Sequence, residues 1–491
     1  MQKTKLFRVL LSFSLIELNR LLRFIDDGQW HEQNKIKRLI GIAIGLIREN
    51  AAEKVEKEEV WNVLHNDEDP YDDVRFRKLC SDALQVVERF LSSEAYFNDM
   101  LLESATRLKA LSRKELAPLY NTQLNRVNTL ISRFPERGSD YYHFRYQVEK
   151  NAFTFRQSVL QRFKIANIDA ILDNLDTFYI IEKLKYYCEV LSRRTFLKHE
   201  YRNRLIDEIL SLIQNGEFDH VPLIRIYYQI VLTHLYPEDE SFYYELKSQL
   251  KAHNSILPGD QMKEIYTSAL NYCTRKINQG KDEFILEAFE TYKQLLVKEL
   301  LYDRDQLSHW TFKNLVVLAL RLGEYHWAEN FIHEYKDKIP QQFRLNAVSY
   351  NLAQLYFYQR KYKKVLELLQ TVEYEDATYN LGAKSMLFAT YYEMQEWEAL
   401  HSLGESFKVF IHRRKNIIPE GRRNSYLNLI KLTLKLHKLN VHEVQKITSL
   451  MQKTESSGQE IASANWLKEK INEKLHYSDH KARHLSVSRQ A

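Results

Sequence analysis

Hydrophobic positions recur at helical spacing along almost the whole chain. Near the amino terminus, Leu15, Leu18, Leu22 and Ile25 repeat every three or four residues, which places them on one face of a helix. Longer runs of the same kind cover residues 178–197, 221–236 and 261–277. Polar breaks between the runs are brief, and no convincing strand pattern interrupts residues 96–455. The pattern predicts an all-α protein.

The amino-terminal segment has the general look of a secretion signal, because basic residues precede an apolar run. Glu17 and Arg20 interrupt that run, however, and no small-residue cleavage site follows. Ser14 and Glu17 have the spacing of a capping box, in which each side chain binds the other's backbone amide. We therefore predict an amphipathic helix here. Because no apolar stretch reaches the roughly 20 residues of a membrane span, we expect a soluble cytoplasmic protein without membrane contact.

The breaks divide the chain into three predicted zones. Residues 1–95 form an amino-terminal helical module, and residues 96–455 form one continuous helical body. Residues 456–491 contain a terminal helix with Trp466 and a basic tail that we expect to be disordered.

Three tracts in the helical body resemble one another. They are LRLGEYHWAENF at 320–331, FYQRKYKKVLEL at 357–368 and YEMQEWEALHSL at 392–403. Their alignment superimposes Gly323 on Arg360 and Gln395, and so gives offsets of 37 and 35 residues. An aromatic residue follows two positions later in each tract, namely Tyr325, Tyr362 and Trp397, and a residue that can pack closely follows three after that, namely Ala328, Val365 and Leu400. This arrangement predicts a repeated hairpin of two helices with a tight turn between them.

The hairpin resembles the tetratricopeptide repeat. The first unit has the family's pattern at Leu315, Gly323, Tyr325, Ala328, Tyr335 and Pro340. The next two units replace the turn glycine with Arg360 and Gln395, and Ala377 and His412 stand where the closing proline belongs. The resemblance is clear over about residues 310–410. It implies an α-solenoid of degenerate hairpins wound into a right-handed superhelix.

The resemblance also implies a binding groove, because the first helix of each hairpin lines the inner wall of such a solenoid. The implied lining residues are Lys313, Val317, Arg321, Tyr350, Gln354, Phe357, Tyr358, Ser385 and Tyr392. An aromatic, partly basic groove suits an amphipathic helix or an extended peptide. The alternative is that these aromatic residues belong to the core between repeats. The clamp that some family members use for a chaperone's carboxyl terminus is disfavoured, since Val317 and Phe388 occupy two of its polar positions.

Basic clusters raise a second possibility, RNA binding. The densest cluster contains Arg413, Arg414, Lys415, Arg422 and Arg423. Lysine and arginine bind phosphates, and nearby tyrosines can stack on bases. Over the whole chain, however, 71 basic and 65 acidic residues leave a net charge of only +6. Nucleic-acid binding is therefore possible but disfavoured against a solvated surface.

The sequence offers little that indicates catalysis. No HExxH, GxGxxG or GxxxxGK[ST] motif occurs, so we expect a non-catalytic protein without a cofactor. His476, His480 and His484 share one face if the tail is helical, and whether they bind a metal stays open. The three cysteines lie about a hundred residues apart, which suggests neither a disulfide framework nor a zinc module and fits a reducing compartment. We predict a protein–protein interaction scaffold, with an RNA-binding helical-repeat protein as the alternative.

Overall fold

The structure, a computed structural model, describes residues 4–27, 34–49, 56–65, 69–159, 167–194, 199–370, 377–456 and 460–487. These residues form 23 α-helices, one short 3-10 helix and two strands of two residues each. The predicted all-α class is confirmed. Among the described helices, none combines the length and the apolar character needed to cross a bilayer.

The chain divides into two compact units, Met1–Glu182 and Lys183–Ala491. The zone boundaries predicted near residues 95 and 455 differ from this limit and stay predictions. The first unit contains α1 (Lys5–Leu11), α2 (Leu15–Asp27), α3 (Asn34–Arg48), α4 (Lys57–His65), α5 (Asp73–Asn98), α6 (Met100–Arg113), α7 (Ala117–Arg133) and α8 (Ser139–Val159), and α9 (Ile168–Arg194) begins in it and continues into the second unit.

Two hydrophobic cores hold the first unit together. Helices α1 to α5 bury one set of side chains that includes Phe7, Leu39 and Phe76. Helices α6 to α8 bury a second set around Tyr120 and Phe144. The predicted capping box is present at the start of α2: the Ser14 amide donates to Glu17 Oε2 at 2.6 Å, and the Glu17 amide donates to Ser14 Oγ at 3.2 Å.

The second unit is a succession of helices with one small β-hairpin. Its elements are α10 (Ile206–Gln214), α11 (Pro222–Leu235), α12 (Ser241–His253), α13 (Gly259–Asn278), α14 (Glu283–Val297), β1 (Tyr302–Asp303), β2 (Gln306–Leu307), α15 (His309–Arg321), α16 (Tyr325–Tyr335), the 3-10 helix η1 (Lys336–Lys338), α17 (Gln341–Tyr358), α18 (Tyr362–Gln370), α19 (Ala377–Glu393), α20 (Trp397–Arg413), α21 (Glu420–Lys438), α22 (Val444–Ser456) and α23 (Ala464–Val487).

These helices pack as stacked hairpins. Helix α11 packs on α12, α13 on α14, α15 on α16, α17 on α18, and α19 on α20. The first helix of one hairpin also packs on the first helix of the next, as α11 does on α13, α15 on α17, and α17 on α19. Each hairpin therefore buries its apolar side against its neighbours, which is the packing of a solenoid-like fold.

The three aligned tracts are the turns of successive hairpins. Gly323, Arg360 and Gln395 each adopt a left-handed backbone conformation, with φ of +79°, +57° and +61°. The residue after each turn position donates its amide to a carbonyl five residues back: Glu324 to Ala319 at 2.9 Å, Lys361 to Tyr356 at 2.8 Å, and Glu396 to Tyr391 at 2.9 Å. This is the hydrogen bond of a Schellman motif, which ends a helix with a left-handed residue. Arginine and glutamine thus take the conformation for which glycine is favoured.

A fourth turn of the same kind lies upstream. Gly280 has φ of +90°, and the Lys281 amide donates to the Lys276 carbonyl at 3.1 Å between α13 and α14. The spacing from Gly280 to Gly323 is 43 residues, and the β1–β2 hairpin lies within this longer repeat. The sequence has no convincing strand pattern over residues 96–455, and β1 and β2, with two residues each, are too short to produce one. Their turn needs positive φ at both Arg304 and Asp305, where the sequence lacks the usual Asn-Gly signal.

Candidate functional site

The first helices of three hairpins, α15, α17 and α19, pack side by side. All nine residues predicted to line the groove belong to these helices. Their side chains fall into three groups along the helices. One group surrounds Lys313, a second lies near the turn after α15, and a third lies near the turns after α17 and α19.

Lys313 brings the three helices together. Its Nζ lies 5.5 Å from the ring centre of Trp310 on α15, 5.6 Å from that of Tyr350 on α17, and 5.5 Å from that of Tyr379 on α19. A cation near three electron-rich rings is stabilised by their quadrupoles. Sequence reasoning found Lys313 and Tyr350 but missed Trp310 and Tyr379. Trp310 could have been found from the sequence, because it lies three residues before Lys313 and so on the same face of the helix.

Beneath this cluster lies a small polar region. Tyr350 is buried, and Gln354 Nε2 donates to its hydroxyl at 3.3 Å. Gly382 permits the close approach of α17 and α19, because a Cβ atom at this position would collide with the Tyr350 hydroxyl. Ser385, one helical turn beyond Gly382, is also buried. Within the part of the chain that the structure describes, Ser385 Oγ and Gln354 Oε1 have no hydrogen-bond partner. Buried polar atoms of this kind are commonly satisfied by an ordered water molecule.

A second group lies toward the turn after α15. Val317 is half-buried, and Arg321 Nη2 forms an ion pair with Asp282 Oδ1 at 2.8 Å. The Tyr358 side chain is 43% exposed, and its ring centre lies 6.5 Å from that of Tyr325. This end of the surface is consequently aromatic and open.

The third group is covered by other helices. Phe357 lies edge-on to Tyr362 of α18, and Tyr392 lies edge-on to Trp466 of the terminal helix α23. Trp466 Nε1 also donates to Glu393 Oε1 at 2.8 Å. Burial, followed by the charge of Glu393, raises the pKa of Tyr392 to about 12. The part of the groove predicted at Phe357 and Tyr392 is thus occupied by the chain's own side chains.

Helix α23 is fixed there by a buried ion pair. The Lys470 side chain is only 4% exposed, and its Nζ lies 3.0 Å from Glu393 Oε1 and 2.7 Å from Glu473 Oε1. Helix α23 contains Trp466 and ends at Val487. The His476 side chain is exposed, whereas those of His480 and His484 lie outside the described residues, so the possible metal site in the tail is untested.

The basic patch gathers at the junction of α20 and α21. Arg413, Lys415 and Arg422 are exposed, and Arg414 and Arg423 are half-buried. The Arg414 guanidinium lies 4.7 Å from the ring centre of Phe410, and Lys384 Nζ lies 5.3 Å from the same ring centre. Burial and the nearby charge of Arg414 lower the pKa of Lys384. Two cations therefore share one aromatic ring, an arrangement that a bound anion would stabilise.

A further concavity, which sequence reasoning missed, lies between α12, α13 and α14. Its volume is about 480 Å³. Its charged lining residues are Lys247, Lys251, Glu287, Glu290, Lys293 and Lys298. Two of the lysines are paired, Lys247 with Glu287 and Lys293 with Glu290. Burial lowers the pKa of Lys298. Four lysines and two glutamates line the cleft, so an excess of two positive charges remains after this pairing.

Among the described residues, no group of three histidine, cysteine or acidic side chains is arranged to hold a metal ion. Cys80, Cys188 and Cys273 are buried free thiols. Comparisons of the chain with protein-family models, curated proteins and solved structures find no match.

Proposed function

We propose that the chain is a non-catalytic scaffold of tetratricopeptide-like hairpins that binds a peptide or helix of a protein partner across α15, α17 and α19. The observation that carries this proposal is the common turn geometry at Gly323, Arg360 and Gln395. Equal turns place equivalent first helices side by side, so that their outward residues form one continuous surface.

The character of this surface supports a peptide ligand. Trp310 and Tyr358 are more than one-third exposed, and Lys313 and Val317 are half-buried between them. Large aromatic groups supply most of the binding energy in such interfaces. The covered position of Tyr392 limits the proposed groove to the part between Trp310 and Tyr358.

The experiment is a selection of binding peptides from a displayed random library on the full-length chain, followed by substitution. Val317→Asp and Tyr358→Ala should each weaken a selected peptide by about tenfold or more, since each removes apolar contact area. Val409→Asp, at an exposed position on α20, is the matched control and should leave the affinity unchanged. Equal affinity for all three variants would exclude this groove.

RNA binding remains the second candidate, and the pair of cations on Phe410 favours it. A salt titration separates the two functions. Binding to phosphates through Arg413, Arg414 and Lys415 should weaken steeply as salt rises, because counterions are released. Binding of an apolar peptide in the groove should change little.

A further inference from the structure

An apolar stripe lies on the outer side of α9. Five of its apolar residues are between 36% and 63% exposed, namely Ile168, Leu172, Leu175, Tyr179 and Tyr186. They follow one another at intervals of four, three, four and seven residues. At about 100° per residue, all five point within about 40° of one direction. Single exposed apolar residues are common on protein surfaces, whereas a continuous stripe indicates an interaction site.

The stripe is not needed to anchor α9 in the fold. The opposite face of the helix, about 180° away, carries the buried residues Ile181, Leu184 and Cys188. Helix α9 is therefore apolar on two faces, of which one is covered by the chain itself. The second face stays exposed.

The intervals in the stripe are those of the a and d positions in a coiled coil. Glu182, three residues after Tyr179 and four before Tyr186, stands at the one polar position in the series, and its carboxylate accepts a hydrogen bond from Ser139 Oγ of the same chain. From Ile168 to Tyr186 the stripe is about 27 Å long at about 1.5 Å per residue. Its natural partner is a second helix with the same spacing.

The charges beside the stripe identify that partner. On one flank, Asp169 and Asp176 lie in the first half of the stripe and Lys183 lies in the second half. In a parallel pair of α9 helices this flank of one copy would face the opposite flank of the other, so Asp169 and Lys183 would not meet. An antiparallel pair puts Asp169 of each copy beside Lys183 of the other, which makes two favourable contacts.

The antiparallel register also matches the apolar residues. With the two-fold axis level with Thr177, Leu175 faces Tyr179 of the second copy, and Ile168 faces its Tyr186. Leu172 of one copy faces Glu182 of the other. The Asp176 side chains of the two copies lie near each other across the axis. We propose that α9 is a self-association surface through which two copies of this chain pair antiparallel. Dimerisation of this kind is independent of the proposed groove, which lies on other helices.

Sedimentation equilibrium of the full-length chain tests the proposal. We expect a concentration-dependent monomer–dimer equilibrium. Leu175→Lys places a charge against Tyr179 twice in each dimer, so it should raise the dissociation constant by at least about tenfold. Because Leu175 is exposed, this substitution should leave the fold intact, as circular dichroism can verify. Leu286→Lys, at an exposed position on α14, is the matched control and should leave the dissociation constant unchanged.

Charge reversal tests the orientation. Asp169→Lys and Lys183→Asp should each weaken the dimer, and the double variant should restore it, because the pair is re-formed with exchanged signs. Asp176→Asn should strengthen the dimer by removing like charges near the axis. In a mixture of the Leu175→Cys and Tyr179→Cys variants, disulfides should form between the two variants rather than within either one. A chain that stays monomeric, a dimer unaffected by Leu175→Lys, or a dominant disulfide between two copies of the Leu175→Cys variant would overturn the proposal.

Discussion

The left-handed turn residues allow two substitutions with opposite expected effects on the free energy of unfolding. Gly323 has φ of +79°, and a Cβ atom built there meets no other atom within 4 Å, so Gly323→Ala introduces backbone strain without a clash. An L-residue in this conformation costs about 1–2 kcal/mol. The lower entropy of alanine in the unfolded chain returns about 0.5–1 kcal/mol. The free energy of unfolding should therefore fall by about 1 kcal/mol.

Gln395 is the counterpart. Its φ is +61°, so it already carries the cost that Gly323 avoids. The Gln395→Gly variant should raise the free energy of unfolding by about 0.5–1 kcal/mol. Arg360 is less suitable for this test, because its side chain also forms an ion pair with Glu469.

Urea unfolding followed by circular dichroism measures both changes, provided that the slope of the transition stays constant. Hydrogen exchange in peptides from α15, α16, α19 and α20 shows whether each change in stability is confined to the hairpin that carries the substitution. Gly421→Ala is the matched control, because Gly421 lies in the first turn of α21 with ordinary helical backbone, and this substitution should stabilise the chain. If residues 323 and 395 lay inside uninterrupted helices, Gly323→Ala would stabilise the chain and Gln395→Gly would destabilise it. That reversal would refute the hairpin assignment.

Three further predictions follow from buried contacts. Gly382→Ala should destabilise the chain by about 1–3 kcal/mol through collision with Tyr350, and Tyr350→Phe should recover part of this loss in urea unfolding. Lys470→Met should leave Glu393 without its cation and speed hydrogen exchange in α23, whereas Lys468→Met should not. Burial holds the pKa of His234 at about 4, below the unfolded value of 6.5, so protonation favours unfolding. Stability should fall by about 1–3 kcal/mol from pH 6.5 to 4, and a His234→Gln variant should lack that loss, as urea midpoints at each pH would show.

The turns could be predicted from the sequence because their chemistry is local. A small or polar residue followed by an aromatic two positions later marked the turns at Gly323, Arg360 and Gln395. Stacking of the hairpins follows from the apolar spacing of their helices. The exact fit between neighbouring helices does not follow from the sequence. Phe388 is bulky for a close helix contact, and Gly404 on the facing helix leaves room for it, since a Cβ atom at residue 404 would lie 3.3 Å from the Phe388 ring.

The candidate groove could be predicted only in outline. The aligned first helices indicate which residues face the same way, but not how far each lies below the surface. Tyr350 and Ser385 are buried, because α17 and α19 approach closely at Gly382. Tyr392 is covered by Trp466, which comes from a helix much later in the chain, and no local pattern reports such a contact.

Distances between spin labels on the outer helices test the hairpin repeat most directly. Asn330 on α16, Glu367 on α18 and Ser402 on α20 are equivalent exposed positions in three hairpins. Packed neighbouring hairpins predict that residues 330 and 367 lie on the order of 10–20 Å apart. The distance from 330 to 402, across two steps, should be clearly longer. A continuous helix would instead separate residues 330 and 367 by about 55 Å, and a closed globule would make the two distances alike. Either result would contradict the stacked-hairpin scaffold.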